Sequence, residues 1–291
     1  MPVNRLTLLI IELNTEIIMN IVGRSRALLL TLCLLFFAAC AGAQPQPRSQ
    51  NYEPRVGQQG KDVVWVPTPQ ELVDKMLDMA KVTPKDYLID LGSGDGRTVI
   101  TAAKRGLRAH GIEYNPDMVE LSKSNAAKAG VSDNATFAKA DLFESDFSNA
   151  QVITMFLLPQ INLKLRPKIL DLKPGTRIVS NSFTMGEWEA DESATVGGEC
   201  DHWCTALLWI VPAKVEGTWQ LAQGELSLKQ NFQMLSGTMK TGNSIAEITH
   251  GKMIGDQIVF TAAGNQYTGR VNGNVMEGKN GSGTWKATRL R

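Results

Sequence analysis

Between Pro69 and Val211 the hydrophobic positions alternate between two periods. Leu72, Met76, Met79 and Ala80 recur at helical spacing behind Pro69, which predicts an amphipathic helix over 69–82. Tyr87-Leu88-Ile89-Asp90-Leu91 is a short apolar run that ends in a glycine-rich turn, the pattern of a buried strand. Helical stretches at 97–105, 116–129 and 161–172 then alternate with strands at 109–113, 135–138, 151–156 and 176–180. Pro116 near the first turn and Gly130 at the end bracket the second crossover helix. The run from Thr205 to Val211 predicts a late, strongly apolar strand. Strands alternating with helices imply a parallel sheet covered on both faces and joined by right-handed crossovers. Such sheets bind ligands beyond the carboxyl ends of their strands.

From residue 215 onward the pattern changes to short alternating runs split by Gly and Asn, with turn signals every 8–12 residues. Gly-Lys-Met-Ile-Gly-Asp at 251–256 and Gly-Arg-Val-Asn-Gly-Asn at 269–274 form a weak internal repeat. The expected fold is therefore an α/β domain over 61–212, a Rossmann-like sheet with flanking helices, followed by a small antiparallel β domain over 215–291, a barrel or curled sheet.

The N-terminal 43 residues read as an export signal. Arg24 and Arg26 precede the 13-residue apolar run Ala27 to Ala39, too short to span a bilayer comfortably but right for a signal-peptide core. Phe37-Ala38-Ala39-Cys40 resembles a bacterial lipoprotein box with Phe in place of the usual Leu, and Ala41-Gly42-Ala43 fits ordinary cleavage. A retained membrane anchor is the third reading. Met19 makes a more regular start for such a signal than Met1 does. The expected location is the cell envelope, periplasmic or lipid-anchored, with a cytoplasm-facing anchor as the alternative. Residues 44–60, rich in Gln, Pro and Gly, read as a flexible linker. The formal net charge is +1 and no block of Lys and Arg occurs, which argues against nucleic acid as a partner.

The chemistry concentrates at three predicted strand ends. Asp90-Leu91-Gly92-Ser93-Gly94-Asp95-Gly96 joins a strand to a helix by a tight turn, where glycines allow close approach of a ligand. The dinucleotide pattern G-x-G-x-x-G would need Gly at 97, where Arg97 stands. An acid ahead of the glycines suits an ammonium-bearing ligand better than a pyrophosphate. Glu113, ending the second strand, can accept both hydroxyls of a ribose. Asp141, ending the third, can accept an adenine amino group, with Leu142 beside the ring, and can also cap the following turn.

These sites resemble the class I S-adenosylmethionine-dependent methyltransferases, and most closely the seven-strand lysine methyltransferases of mitochondria and their bacterial relatives. Three strings carry the likeness: Val66-Pro67-Thr68-Pro69, DLGSGDGRTVI at 90–100, and FLLPQINLKLRPKILDLKPGTRIVSNSF at 156–183. The resemblance covers about 150 residues and implies S-adenosylmethionine as cofactor. It places the cofactor on Asp90, Gly92, Ser93, Gly94, Gly96, Glu113 and Asp141, and extends to Thr68. The export signal and the β domain depart from the mitochondrial members. The implied activity is N-methylation of a protein lysine or a small amine. The Asn/Asp-Pro-Pro-aromatic string of nucleobase amino methyltransferases is absent, and Met155-Phe156-Leu157-Leu158-Pro159 stands in its place, an apolar wall compatible with a lysine stem or a small apolar amine. No general base is visible: His110, His202 and His250 fall in no catalytic pattern. The competing expectation is an exported binding or envelope module in which the methyltransferase fold is catalytically silent.

Cys200-Asp201-His202-Trp203-Cys204 lacks a convincing zinc spacing. A disulfide, free thiols and a metal site all remain open, the first favoured if the chain is exported.

Overall fold

A computed structural model describes residues 52–198, 200–281 and 283–290. The expected signal and most of the linker lie outside the described residues. Helix α1 (Gln70–Met79) buries Leu72, Val73, Met76 and Leu77 and stops short of the expected end, because Lys81 turns into the left-handed region at φ 48°. Strand β1 (Tyr87–Leu91) runs into the core and leads through the glycine turn to α2 (Arg97–Lys104). Strand β2 (Arg108–Glu113), helix α3 (Pro116–Lys128) and strand β3 (Ala135–Lys139) follow. Asn115 caps α3, its side chain accepting from the backbone N–H groups of Asp117 and Met118, with Pro116 at the first helical position. Strand β4 (Val152–Met155), helix α4 (Pro159–Leu170) and strand β5 (Arg177–Asn181) complete the crossovers.

Two further strands, β6 (Glu192–Thr195) and β7 (Thr205–Ile210), give a seven-stranded sheet in the order β3-β2-β1-β4-β5-β7-β6. The first five pair in parallel, but β7 lies antiparallel to both β5 and β6, so the sheet is mixed rather than all-parallel. The hairpin between β6 and β7 reverses the chain within the sheet, where a parallel crossover would have needed another helix. The core divides between the two faces, with α1, α2 and α3 over one and α4 over the other.

The remaining strands form an antiparallel meander: β8 (Gly217–Leu221), β9 (Gly224–Asn231), β10 (Met234–Thr241), β11 (Ser244–Glu247), β12 (Thr249–Ile254), β13 (Gln257–Ala262), β14 (Asn265–Asn272), β15 (Val275–Asn280) and β16 (Gly283–Arg289). Strands β11 and β12 sit end to end on one edge of β10, while β9 takes its other edge. Strand β8 pairs with both β16 and β9, which closes the sheet into a barrel. Its interior is filled by side chains, including Trp219, Met253, Phe260, Tyr267 and Trp285, with the Phe260 and Tyr267 rings stacked 4.8 Å apart. The weak repeat corresponds to two hairpin tips, at Gly255-Asp256 and Gly273-Asn274.

The barrel docks on the connection after β5. Trp188, fully buried, stacks on Phe232 of the β9–β10 turn at 5.9 Å. Lys252 pairs with Asp191 at 2.9 Å, and the Gln233 side chain donates to the Glu189 carbonyl at 2.9 Å. Burying a Trp from one domain against an aromatic of the other makes this seam hydrophobic at its centre and polar at its rim. Trp188→Ala is expected to lose about 3–5 kcal/mol, read as a lowered urea midpoint.

Candidate functional site

Because β1, β2 and β3 run parallel and in register, their carboxyl ends present Asp90, Glu113 and Asp141 along one rim. All three, with Gly92, Ser93 and Gly94, line a cavity of about 360 Å3. Gly96 does not. It caps α2 at φ 83°, and a Cβ there would meet the Phe137 ring at 2.8 Å and Ser122 at 2.9 Å. Its place in the motif serves the packing of the turn on β3 and α3. Gly94, at φ 53°, is pressed from above by Trp65, whose indole nitrogen lies 2.7 Å from where a Cβ would stand.

Asp90 is 6% exposed, and one of its oxygens accepts from the Thr154 hydroxyl at 2.7 Å. Burial, reinforced by the negative charges of Glu113 and Asp95, pushes its pKa up to about 7. Next to it the buried Ser93 hydroxyl has no hydrogen-bond partner. A carboxyl poised between charge states and an unpaired hydroxyl are two groups that a bound ammonium-bearing ligand would satisfy. The residues present therefore fit the aminoacyl end of S-adenosylmethionine. Glu113 braces the loop: one oxygen accepts from the Gly94 amide at 3.0 Å and the other from the Asn115 amide at 2.9 Å. Its remaining lone pairs suit a ribose diol.

Asp141 caps the following turn, as the sequence allowed, accepting from the Phe143 amide at 2.9 Å. Its other oxygen pairs with the Lys61 ammonium, which holds its pKa below the usual carboxylate range. Lys61 belongs to a short hairpin-like segment in which Gly57 and Trp65 exchange backbone bonds through Gln58, and this segment covers the cavity. Residues 58–60, read as linker, are thus part of the site wall. An adenine amino group reaching Asp141 shares that carboxylate with Lys61.

Arg97, the residue that breaks the dinucleotide pattern, clamps Asp95 through its guanidinium at 2.6 Å and donates to the Thr68 carbonyl at 2.9 Å. The Thr68 hydroxyl in turn accepts from Asn181 at the end of β5 at 3.3 Å. The glycine turn and the β5 tip are joined through this chain of contacts.

The other half of the cavity differs in character. The ends of β4 and β5 and the β6–β7 connection contribute Phe156, Phe183 and Trp203, with Leu157, Leu158 and Ile161 around them. Phe156 stacks on Phe183 at 5.8 Å and meets Trp203 at 6.0 Å with a tilt of 59°. The sequence marks Phe156 as part of an apolar wall suited to a lysine stem, but gives no role to Phe183, Trp203, Trp65 or Lys61. The lone signal for Trp203 was its position between two cysteines, and those form a disulfide. His110 lies on β2 hydrogen-bonded to Thr136, and neither it nor the other two histidines lines the cavity.

Replacing Asp90 by Asn is expected to weaken S-adenosylmethionine binding roughly ten- to a hundredfold, measured by calorimetry. In the wild type the neutral carboxyl cannot pair with an ammonium. Affinity should therefore fall as pH drops below about 7, approaching tenfold per pH unit. Near neutral pH, binding should release a proton that Asp90→Asn does not release, visible as buffer-dependent binding heat.

Comparison with known proteins agrees with this geometry. Residues 90–192 match the ANTKMT methyltransferase domain family. A protein-lysine N-methyltransferase of Saccharolobus islandicus is 42% identical over 153 residues, 51% of this chain and 94% of that protein. The adenine nucleotide translocase lysine N-methyltransferase of Mus musculus is 33% identical over 129 residues, 44% of this chain and 56% of that protein. The chain thus spans nearly all of the Saccharolobus relative and just over half of the murine one. A solved RNA methyltransferase of Salinibacter ruber, in complex with S-adenosyl-L-homocysteine, is 46% identical and covers 52% of this chain and 96% of its own, at a TM-score of 0.49. A catalytically silent envelope module finds no support among these relatives, each of which is described as an enzyme. With its match running almost end to end along the Saccharolobus enzyme, this chain belongs to the class I S-adenosylmethionine-dependent lysine methyltransferases.

Proposed function

We propose that the protein methylates the ε-amine of lysine in a protein acceptor. The observation that carries this reading is the division of one cavity into an acidic half at the tips of β1, β2 and β3 and an aromatic half at the tips of β4 and β5. The acidic half suits the cationic cofactor. The aromatic half suits an aliphatic stem ending in an amine, and it opens outward past Trp203, which is 44% exposed. The names of the Saccharolobus and murine relatives favour a protein lysine over a small amine.

S-adenosylmethionine, when bound, supplies a methyl group on a sulfonium that leaves readily. The protein then has to position the amine and see that it is neutral. Positioning falls to the loop after β5, where Ser182 is held at φ 57° and Asn162 donates to the Phe183 and Thr184 carbonyls at 3.2 and 3.1 Å. The apolar surroundings disfavour the charged form of an entering ammonium, so its proton is lost to solvent before the stem seats. No side chain in the aromatic half offers a general base, and desolvation supplies that role. The near-neutral net charge argues against an RNA acceptor.

Incubating the purified protein with methyl-labelled S-adenosylmethionine and a bacterial cell extract tests the reading. Label should be recovered as methylated lysine after protein hydrolysis, and label confined to RNA or to small molecules would overturn the assignment. The rate should rise with pH between about 7 and 9, following the free-amine fraction of the acceptor.

A further inference from the structure

We infer that Trp203, held by the Cys200–Cys204 disulfide, forms the adjustable wall of the acceptor entrance, so that methyl transfer depends on the oxidation state of this cysteine pair. The inference rests on the lysine reading above and adds to it a residue that sets acceptor affinity and a covalent bond that positions that residue.

Three observations support it. First, Trp203 is a large aromatic kept at the surface yet part of the cavity lining, set at an angle against Phe156. Two rings meeting at 59° form a corner against which the aliphatic stem of a lysine can pack. Second, its backbone sits at φ 55°, a left-handed conformation that is unfavourable for a bulky side chain and that the surrounding structure has to hold. Third, little else holds the loop apex. Its base is fixed by the Val196 amide donating to the Cys204 carbonyl at 2.9 Å and the Ser182 amide donating to the Thr205 carbonyl at 2.7 Å. Among the described residues, 200–203 make no backbone–backbone hydrogen bond. The cross-link, at a sequence separation of 4, is the bond that keeps the apex turned over the cavity.

Both cysteines are half-buried against the edge of the core and do not line the cavity. Opening the bridge breaks one S–S bond. An external dithiol supplies two electrons, the two sulfurs take up two protons to become thiols, and the dithiol leaves as its own disulfide. A cross-linked loop this short stabilises less than a long one, and its loss is expected to free Trp203 while the seven-stranded sheet stays folded.

The test compares five forms of the full chain: oxidised wild type, wild type kept in dithiothreitol, C200S/C204S, W203A and W203F. Poly-L-lysine and methyl-labelled S-adenosylmethionine serve as probes. Reduction is expected to raise the KM for poly-L-lysine about tenfold through lost packing of the stem against Trp203, with a smaller change in kcat. C200S/C204S should show the raised KM and no response to dithiothreitol. W203A should match it, and W203F should recover most of the loss. The Kd of C200S/C204S for S-adenosylmethionine should stay within about twofold of wild type, because the cysteines do not line the cavity. Equal KM values in oxidised and reduced wild type would overturn the inference and leave the lysine reading standing. A parallel loss of cofactor binding and melting temperature in C200S/C204S would also overturn it, reducing the bridge to a structural tie. If the oxidised enzyme binds cofactor but leaves poly-L-lysine unlabelled, the lysine reading fails first and the inference falls with it.

Discussion

A carboxylate taken out of water at the end of a β-strand is costly unless a cation meets it. Asp90 is held in that position: between β2 and β4, bonded to Thr154, and crowded by the charges of Glu113 and Asp95. The sheet order places it at the inner end of the acidic rim, where β1 gives way to β4. What surrounds it follows from that placement. The turn after it must be glycine-rich to let a ligand reach the carboxyl, Glu113 must tie the turn down, and Arg97 must hold the exposed side of the turn to Thr68. A binding group kept close to neutral by its own burial favours ligands that bring a positive charge and offers little to those that do not.

The same sheet order also separates two chemistries. Strands on one side of Asp90 end in acids, and strands on the other end in aromatics. Each rim comes from consecutive positions in the sheet but from segments far apart in the chain, so the reaction site forms only once the crossovers have packed. The β5 tip is over-determined, with Ser180, Asn162 and Asn181 all bonded around the left-handed Ser182. Rigidity there contrasts with the sparse bonding of the apex that carries Trp203.

The acidic rim was legible from sequence because its signals are local: an apolar run, glycines and an acid within one string, then an acid at the end of each following strand. The aromatic rim was legible only at Phe156, within the apolar wall after β4, since Phe183 and Trp203 come from two other connections and an aromatic after an apolar strand is an ordinary core residue. Strand β6 escaped notice because it is short, mostly exposed and polar, with no alternation to read. The covering segment escaped for another reason: residues 58–60 have the Gln- and Gly-rich composition of a linker, and Lys61 and Trp65, at the start of the expected domain, take their roles from contacts with Asp141 and Gly94 that no local pattern encodes. At Gly96 the structure supplies a packing reason for glycine that the motif alone does not show, since a Cβ would meet Phe137. The mixed direction of the sheet followed from a hairpin whose turn signal, at Gly197-Gly198, was visible but could not reveal which strands it joined.

The barrel is closed by β8 against β16, the first and last strands of its meander. During synthesis the seven-stranded sheet is complete once Ile210 has emerged, while β8 must wait for the residues up to Arg289 before its outer edge is covered. Until then the outer edge of β8 has unpaired backbone groups and Trp219 lacks its full enclosure. The order of emergence thus leaves one sheet edge open until the last strand arrives, a liability that ends only when β16 seats against β8.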